Sequence, residues 1–238
     1  MIIICYGMIK SASTYAFQVT EEIVKQDCEN KGLQFYKPSQ LIDSLEYDFL
    51  DRTVDLDNII DALKNSECDF NGEHHIVFKT HMERDFLLPL INAFNVKVIA
   101  SFRHPAEIAL SLVDVAKKEK LEGKNRFASY DTLSLALEQL PYQIGCFYSW
   151  LDSEDFCTFT LNYDLVASFD NVLFESLAEY LSVDCNISKI LTFFNENSNR
   201  IVEFNKGVKG RRYSELPTVK LIEIEKNYPE ICKLVNNS

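Results

Sequence analysis

The apolar positions of this 238-residue chain form short continuous runs that alternate with longer helical patterns. Short apolar runs are typical of buried strands, and apolar residues that recur about every three to four positions are typical of amphipathic helices. Because strands alternate with helices, we expect a parallel sheet with right-handed crossovers. The predicted strands are 2–6, 33–36, 76–80, 96–102 and 157–161, and the predicted helices are 13–30, 39–65 in pieces, 84–94, 105–121 and 131–152, the last with a bend at Pro141.

The predicted fold class is α/β, a three-layer αβα arrangement around a central parallel sheet of about five strands. Beyond residue 168 the pattern is helical, apart from a loop at 203–214. No repeat, low-complexity tract or Pro/Gly-rich linker interrupts the sequence, and its apolar content of 47% argues against disorder. We therefore expect residues 1–238 to form one domain.

The start of the chain predicts a phosphate-binding loop. The strand-like run Ile2–Cys5 breaks at Gly7, passes through small hydroxyl residues and opens into a helical pattern near Ser13. In a strand–loop–helix unit the loop N–H groups converge on an anion, and the positive end of the helix dipole adds to the attraction. The same residues also fit an ordinary buried strand with a serine-rich helix cap.

This loop differs from the P-loop that binds nucleoside triphosphates. That motif reads Gly-x-x-x-x-Gly-Lys-Ser/Thr, whereas Ala12, Ser13 and Thr14 occupy its last three positions here. The only lysine in the loop is Lys10, which would lie beside a bridging oxygen rather than under a γ-phosphate. The sequence therefore predicts a phosphate loop with rearranged chemistry.

Three later segments combine cations or histidine with strand-like or glycine-rich sequence. They read HHIVFKTH at 74–81, VKVIASFRHP at 96–105 with Ser111 further along, and FNKGVKGR at 204–211. Together with the loop, and in this order, they resemble the cytosolic-type sulfotransferases, which transfer a sulfuryl group from 3′-phosphoadenosine 5′-phosphosulfate (PAPS). The resemblance covers the chain from residue 2 to about residue 225.

The resemblance implies a P-loop-like fold and a role for each matched residue. Lys10 would steady the leaving phosphate, and His81 would be the general base. Arg103 and Ser111 would bind the 3′-phosphate, and Tyr163 matches a tyrosine beside the adenine. The implied catalytic residues are His81, Lys10 and Lys79, and the implied cofactor-binding residues are Lys10, Ser11, Ala12, Ser13, Thr14, Arg103, Ser111, Tyr163, Lys206, Gly207, Gly210 and Arg211.

Three departures from the family pattern bear on nucleotide binding. The family usually has glycine where this chain has Ala12, and a side chain there restricts positive φ. It commonly has an arginine where this chain has Asn205, and Arg211 or Arg212 is close enough in sequence to replace that cation. It also usually has proline where this chain has Ile9.

The residue types suit sulfuryl transfer. A histidine can remove the acceptor's proton near neutral pH, and a lysine at the leaving oxygen stabilises the charge that grows there. A monoanionic sulfuryl group needs less neutralisation than a triphosphate, so no metal is expected. The strand 96–102 ends at Arg103, where many phosphoryl-transfer enzymes place a magnesium-binding carboxylate.

Composition limits the partners. The net charge of −12 disfavours nucleic acid, and the cations of the predicted site would instead form a basic island suited to a small polyanionic ligand. No apolar stretch reaches the length of a membrane-spanning helix, so no membrane partner is expected. The seven cysteines are scattered without a C-x-x-C pair, which indicates reduced thiols and a cytoplasmic location.

Two other functions remain open at this point. One is a P-loop phosphotransferase that uses ATP and magnesium, and the other is a non-catalytic protein that binds PAPS or its product 3′-phosphoadenosine 5′-phosphate (PAP), with a loop degenerate at Ala12. The acceptor of a sulfotransferase would be a small molecule or a glycan with a hydroxyl or amine group. Candidate side chains for an apolar acceptor pocket, which fit the core equally well, are Phe70, Met82, Phe86, Phe127, Tyr130, Tyr142, Phe147 and Tyr148.

A homodimer is a further expected partner. Thr218 and Val219 with Glu223 resemble the family's dimer motif at the matching place. The lysine of that motif is replaced by Ser214, so the match is partial.

Overall fold

A six-stranded sheet runs through the computed structural model, which describes residues 1–42, 45, 48–151, 156–197 and 209–237. The strands lie in the order β2-β4-β1-β5-β6, with β3 paired to β4, and every pairing is parallel. Their bounds are β1 Ile2–Gly7, β2 Gln34–Tyr36, β3 Phe49–Leu50, β4 His74–Thr80, β5 Val96–Phe102 and β6 Thr158–Asn162.

The predicted α/β fold class with a central parallel sheet is confirmed, and each predicted strand is present within two residues of its expected bounds. The sixth strand, β3, lies in a stretch that was expected to be helical. A strand of two residues is too short to show an apolar period. It is held instead by tertiary contacts, because the Lys79 N–H donates to the carbonyl of Asp48 at 2.8 Å and the Thr80 hydroxyl donates to the carbonyl of Leu50 at 2.8 Å.

Helices cover both faces of the sheet. None of those in the described ranges combines the length and the apolar character that a bilayer crossing requires. In chain order they are α1 Ser13–Lys31, α2 Pro38–Leu41, α3 Leu56–Asn65, α4 Arg84–Ala93, α5 Pro105–Glu122, α6 Leu133–Glu138, α7 Leu140–Leu151, α8 Tyr163–Val166, α9 Asn171–Leu181, α10 Ile187–Glu196, α11 Arg211–Glu215, α12 Thr218–Asn227 and α13 Pro229–Asn236, with a 3-10 turn at Ala128–Tyr130.

The prediction of one bent helix over 131–152 is wrong. The chain forms two helices instead, α6 ending at Glu138 and α7 beginning at Leu140. Pro141 therefore lies in the first turn of α7. The missing N–H of proline costs nothing there, because the N–H groups of a first turn have no partner within the helix.

The strand residues alternate between two core layers. Ile2, Ile4 and Tyr6 of β1 pack on one face with α3, α4, α5 and α7, whereas Ile3 and Cys5 pack on the other face with α1, α9 and α10. Such alternation follows from the pleat of a strand. Both faces are buried, as an all-parallel sheet requires, and the carboxyl ends of the strands are held at one edge.

Candidate active site

The carboxyl ends of β1, β4 and β5 meet at one edge of the sheet. β1 lies between the other two strands, and Tyr6 is paired with Thr80 of β4 and with Ala100 of β5. The chain order reverses at β1, since β4 lies on one side and β5 on the other. Ligands of open parallel sheets bind at such a reversal, so the loops that follow these three strands form the candidate site.

The loop after β1 packs against the end of β5 because Gly7 has no side chain. A Cβ at position 7 would lie 2.2 Å from the Cβ of Ser13 and 2.5 Å from the hydroxyl of Ser101. A real Cβ does not approach other atoms this closely, so glycine is required at this position. This close approach fixes where α1 begins relative to the sheet.

Ser11 shapes this loop from inside. Its side chain is completely buried, and its hydroxyl donates to the carbonyl of Met8 at 2.6 Å and lies 2.9 Å from the hydroxyl of Ser101. The Met8 N–H in turn donates to the carbonyl of Ser101 at 3.0 Å. These hydrogen bonds already use the Ser11 hydroxyl within the protein. The predicted role of Ser11 in phosphate binding stays a prediction.

Two residues of the loop have left-handed backbone conformations. Lys10 has φ 68° and Ala12 has φ 60°, and Ala12 is the residue that precedes the first turn of α1. Residues other than glycine adopt this region at a cost of roughly 1–2 kcal/mol. A glycine, which the family usually has here, would adopt this conformation without strain. Ala12 therefore departs from the family pattern at a position where its side chain costs backbone energy.

His81 follows β4 and contacts the end of β1. Its Nδ1 is hydrogen-bonded to the carbonyl oxygen of Gly7, and its ring packs edge-on against Phe49 with 5.3 Å between the ring centroids. A carbonyl oxygen only accepts, so Nδ1 carries the proton in the neutral ring and Nε2 carries the lone pair. The structure thus gives His81 the tautomer that can accept a proton at Nε2.

Of the two lysines of the predicted catalytic set, Lys10 lies in the loop and Lys79 lies at the end of β4. The Lys79 ammonium donates to the hydroxyl of Thr14 at 2.7 Å and lies 5.7 Å from the ring centroid of Phe49. The Lys10 ammonium lies 5.5 Å from the ring centroid of Phe127. Both distances are within the range of cation–π contacts, so aromatic rings help to hold both cations.

A cleft of about 860 Å³ opens beside His81 and Lys79. Its size is in the range of small-molecule sites. Of the side chains suggested above for an acceptor pocket, Met82 and Phe127 line it, whereas Phe70 and Phe147 belong to the core. The lining residues are Ile9, Thr14, Phe17, Gln18, Glu21, Lys37, Ser39, Asp48, Phe49, Asp51, Lys79, His81, Met82, Arg126 and Phe127.

Glu21 is a member of this cleft that sequence reasoning missed. Burial, and then the nearby carboxylate of Asp48, raise the pKa of Glu21 to about 7. Its Oε1 is buried and has no hydrogen-bond partner among the described residues. A glutamate on the polar side of a helical pattern gives no sign of this, because the effect depends on burial in the folded chain and on Asp48, which is distant in sequence.

Arg103 and Tyr163 lie side by side on the other flank of the loop. They directly follow Phe102 and Asn162, which are paired in the sheet. The guanidinium carbon of Arg103 lies 3.5 Å from the ring centroid of Tyr163, and its Nη1 donates to the carbonyl of Lys10 at 3.3 Å. The predicted 3′-phosphate arginine, the predicted adenine tyrosine and the predicted phosphate loop are therefore brought together.

Glu107 links Arg103 to a second arginine. The Nη2 of Arg103 lies 3.1 Å from Glu107 Oε2, and the Nη1 of Arg212 lies 2.9 Å from Glu107 Oε1. All three side chains are buried. The spacing of four residues between Arg103 and Glu107 on α5 is a helix-pairing signal that could have identified the first of these contacts.

Arg211 points to different partners. Its guanidinium pairs with Asp114 at 2.9 Å and with Glu215 at 2.6 Å. Ser111 is buried on α5, about two turns after Arg103. The predicted phosphate contacts of Arg211 and Ser111 stay predictions.

His104 caps α5 in its neutral form. Its Nδ1 accepts a hydrogen bond from the N–H of Ala106 at 3.2 Å. Burial, together with Arg212 and Arg103, lowers the pKa of His104 to about 3. Its Nε2 lies 3.5 Å from Glu225, but this is no ion pair at neutral pH because the ring is uncharged.

Some predicted residues cannot be compared with the structure. Lys206 and Gly207 lie outside the described residues. Gly210 is described, has φ 69° and precedes α11. The predicted dimer motif lies on α12, where Val219 is exposed, and dimerisation stays a prediction.

Across the described part of the chain, no group of three or more His, Cys, Asp or Glu side chains could hold a metal ion.

The fold is similar to that of solved sulfotransferases. No protein-family model matches the sequence, and no curated protein matches it either. Mouse sulfotransferase SULT7A1 complexed with PAP is 15% identical, with a TM-score of 0.65 over 98% of this chain and 84% of that chain. Retinol dehydratase in complex with androsterone and inactive cofactor PAP is 12% identical, with a TM-score of 0.57 over 98% and 80%. Retinol dehydratase in a complex with retinol and PAP is 13% identical, with a TM-score of 0.58 over 98% and 81%.

These similarities confirm the resemblance to sulfotransferases at the level of the fold. They extend over almost the whole chain, and the P-loop-like architecture expected from the sequence is the one that these proteins share. At 12–15% identity the comparison carries no information on individual side chains. The chemistry of the site therefore depends on the geometry described above.

Relief of backbone strain at position 12 should stabilise the protein. Ala12→Gly removes a side chain from a left-handed residue, and we expect a gain of about 1 kcal/mol in the free energy of unfolding after the greater flexibility of unfolded glycine is offset. Urea unfolding measures this gain. Ser182→Gly is the matched control, because Ser182 has φ 61° at the end of α9 and should give a similar gain away from the site. A loss of stability in Ala12→Gly would show that position 12 is not strained.

The raised pKa of Glu21 should make stability depend on pH. The folded state binds a proton more tightly than the unfolded state, so the contribution of Glu21 is fully present below about pH 4.5 and is lost as the pH rises through about 7. Glu21→Gln should therefore raise the melting temperature at pH 8 by more than at pH 5. The control Glu29→Gln, an exposed residue of the same helix, should show no such difference. Equal effects of Glu21→Gln at both pH values would contradict the raised pKa.

Proposed function

We propose that this chain is a PAPS-dependent sulfotransferase that transfers a sulfuryl group to a hydroxyl or amine of a small apolar acceptor. The observation that carries the proposal is the contact between His81 and Gly7. This contact supports the proposal because it holds the His81 ring, in a defined tautomer, beside the loop that follows β1 and the cleft of about 860 Å³.

The residues divide the reaction between them. His81 Nε2 takes the proton of the acceptor as its oxygen or nitrogen bonds to sulfur. The bond between sulfur and the bridging phosphate oxygen breaks, and Lys10 stabilises the negative charge left on that oxygen. Lys79 donates a hydrogen bond to Thr14 in the first turn of α1 and precedes His81 by two residues. The proton therefore ends on His81 and the negative charge on the departing PAP.

The nucleotide would lie on the β5–β6 side of the loop. Arg103 and Tyr163 form a stacked pair there, and guanidinium groups bind phosphate oxygens in a fixed geometry. The solved structures to which this fold is similar contain PAP according to their descriptions. This supports PAPS as the donor, and it favours neither the ATP-dependent phosphotransferase nor the non-catalytic alternative.

The acceptor would occupy the cleft on the β3–β4 side. Ile9, Phe17, Phe49, Met82 and Phe127 give this cleft an apolar surface. Retinol dehydratase, one of the similar proteins, was solved with androsterone and with retinol. An apolar phenol or alcohol is the acceptor class that these observations favour.

Calorimetric titration with PAP tests the donor class. PAP should bind at least about 30-fold more tightly than adenosine 5′-phosphate, since loss of the charge-assisted contacts of a 3′-phosphate costs on the order of 2 kcal/mol. ATP with magnesium runs beside it. Tighter binding of ATP with magnesium than of PAP would instead support a phosphotransferase.

Replacement of His81 tests the catalytic assignment. His81→Ala should lower the rate of sulfuryl transfer from PAPS to a panel of phenols and apolar alcohols by about 10²–10⁴-fold, with PAP affinity unchanged. His74→Ala is the matched control, because His74 begins the same strand at the opposite edge of the sheet. Normal transfer by His81→Ala would remove His81 from the role of base.

Tight PAP binding by the unmodified protein, with no transfer to any acceptor of the panel, would instead support the non-catalytic binding protein.

A further inference from the structure

Arg212 is the second arginine of a buried cluster beside the phosphate loop. It shares the carboxylate of Glu107 with Arg103, at distances of 2.9 and 3.1 Å. The exposed fractions are 4% for Arg103, 0% for Glu107 and 6% for Arg212. One carboxylate is therefore shared by two guanidinium groups in a region that water barely reaches.

Stability alone gives a poor account of this cluster. The desolvation of buried charges offsets most of their attraction, so ion clusters of this kind contribute little net stability. The other titratable groups nearby are His104, whose pKa is lowered to about 3 by burial and by both arginines, and Asp164, whose pKa is raised by burial and by Glu107. His104 thus adds no charge at neutral pH. Asp164 also interacts with both arginines, so what distinguishes Arg212 is its hydrogen-bonding geometry rather than the number of charges around it.

The placement of the cluster points to the nucleotide. Arg103 stacks on Tyr163 and donates to the carbonyl of Lys10 in the phosphate loop. Arg212 reaches the same place from α11, which packs on α5. Its Nη1 and Nη2 bond to Glu107 and to the hydroxyl of Tyr213, whereas its Nε is buried and has no hydrogen-bond partner in the described part of the chain.

We propose that Arg212 is a 3′-phosphate-binding residue, which forms with Arg103 a pair of arginines bridged by Glu107. The proposal rests on the proposed function, and it deepens the nucleotide site of that function. Arg212 would supply the cation that the family commonly has where this chain has Asn205. Arg211, the neighbouring candidate, is committed to Asp114 and Glu215 instead.

The ratio of the PAP affinity to the adenosine 5′-phosphate affinity tests this proposal, because only PAP carries the 3′-phosphate. Arg212→Gln should weaken PAP binding by about tenfold or more, as for a lost charge-assisted contact, and leave adenosine 5′-phosphate binding unchanged. Arg211→Gln should change the ratio less than Arg212→Gln does. Lys220→Gln, which removes an exposed cation from α12, should not change the ratio.

Folding is checked by thermal unfolding of each variant. If Arg212→Gln does not fold, Arg212→Lys carries the test, because it keeps a charge beside Glu107 but loses the planar fork that binds phosphate, and it should also lower the ratio. An unchanged ratio, an equal loss for both nucleotides, or a larger loss in Arg211→Gln would each overturn the proposal. Failure of the unmodified protein to prefer PAP would overturn the proposed function as well, whereas a preference that Arg212→Gln leaves intact would overturn only this inference.

Discussion

The backbone at Gly7 is the constraint on which the whole site depends. The missing side chain lets the loop lie against Ser13 and Ser101, where a Cβ would come within 2.2 Å of its neighbour. The carbonyl oxygen of the same residue accepts a hydrogen bond from Nδ1 of His81. One position at the end of β1 therefore sets both the start of the loop that follows β1 and the tautomer of His81. Any movement of β1 relative to β4 would disturb the two together.

The close packing at Gly7 is accompanied by strain nearby. Lys10 and Ala12 are both left-handed, at a cost of roughly 1–2 kcal/mol each. The hydroxyl of Ser11, buried between them and bonded to Met8, holds the turn in this shape. Strained backbone persists only where its surroundings fix it, and it is concentrated at functional sites. The loop geometry is thus maintained by the residues around it, even though position 12 lacks the glycine that would adopt it freely.

Most of the fold could be predicted from the sequence, because the longer strands and helices each have a recognisable local pattern of apolar residues. The meeting of His81 and Arg103 with the loop could also be predicted, since each follows a parallel strand and such strands end at one edge. The break between α6 and α7 could not, since proline tolerates a first helical turn as well as a kink. The link from Glu107 to Arg212 depends on how α11 packs on α5, and no local pattern encodes a contact between residues 105 positions apart.

The reversal of strand order at β1 also explains how two unlike ligands could be kept apart. The cleft on the β4 side has an apolar surface and carries both cations and carboxylates, among them Lys37, Arg126, Asp48 and Asp51, whereas the β5 side carries the buried pair Arg103 and Arg212. Under the proposed function, the apolar surface suits the acceptor, and the two arginines attract the polyanionic nucleotide. Donor and acceptor would then approach from opposite flanks of the loop, and the reacting atoms would meet only at the loop itself. This separation of an apolar region from a pair of arginines would orient both substrates before any catalytic group acts.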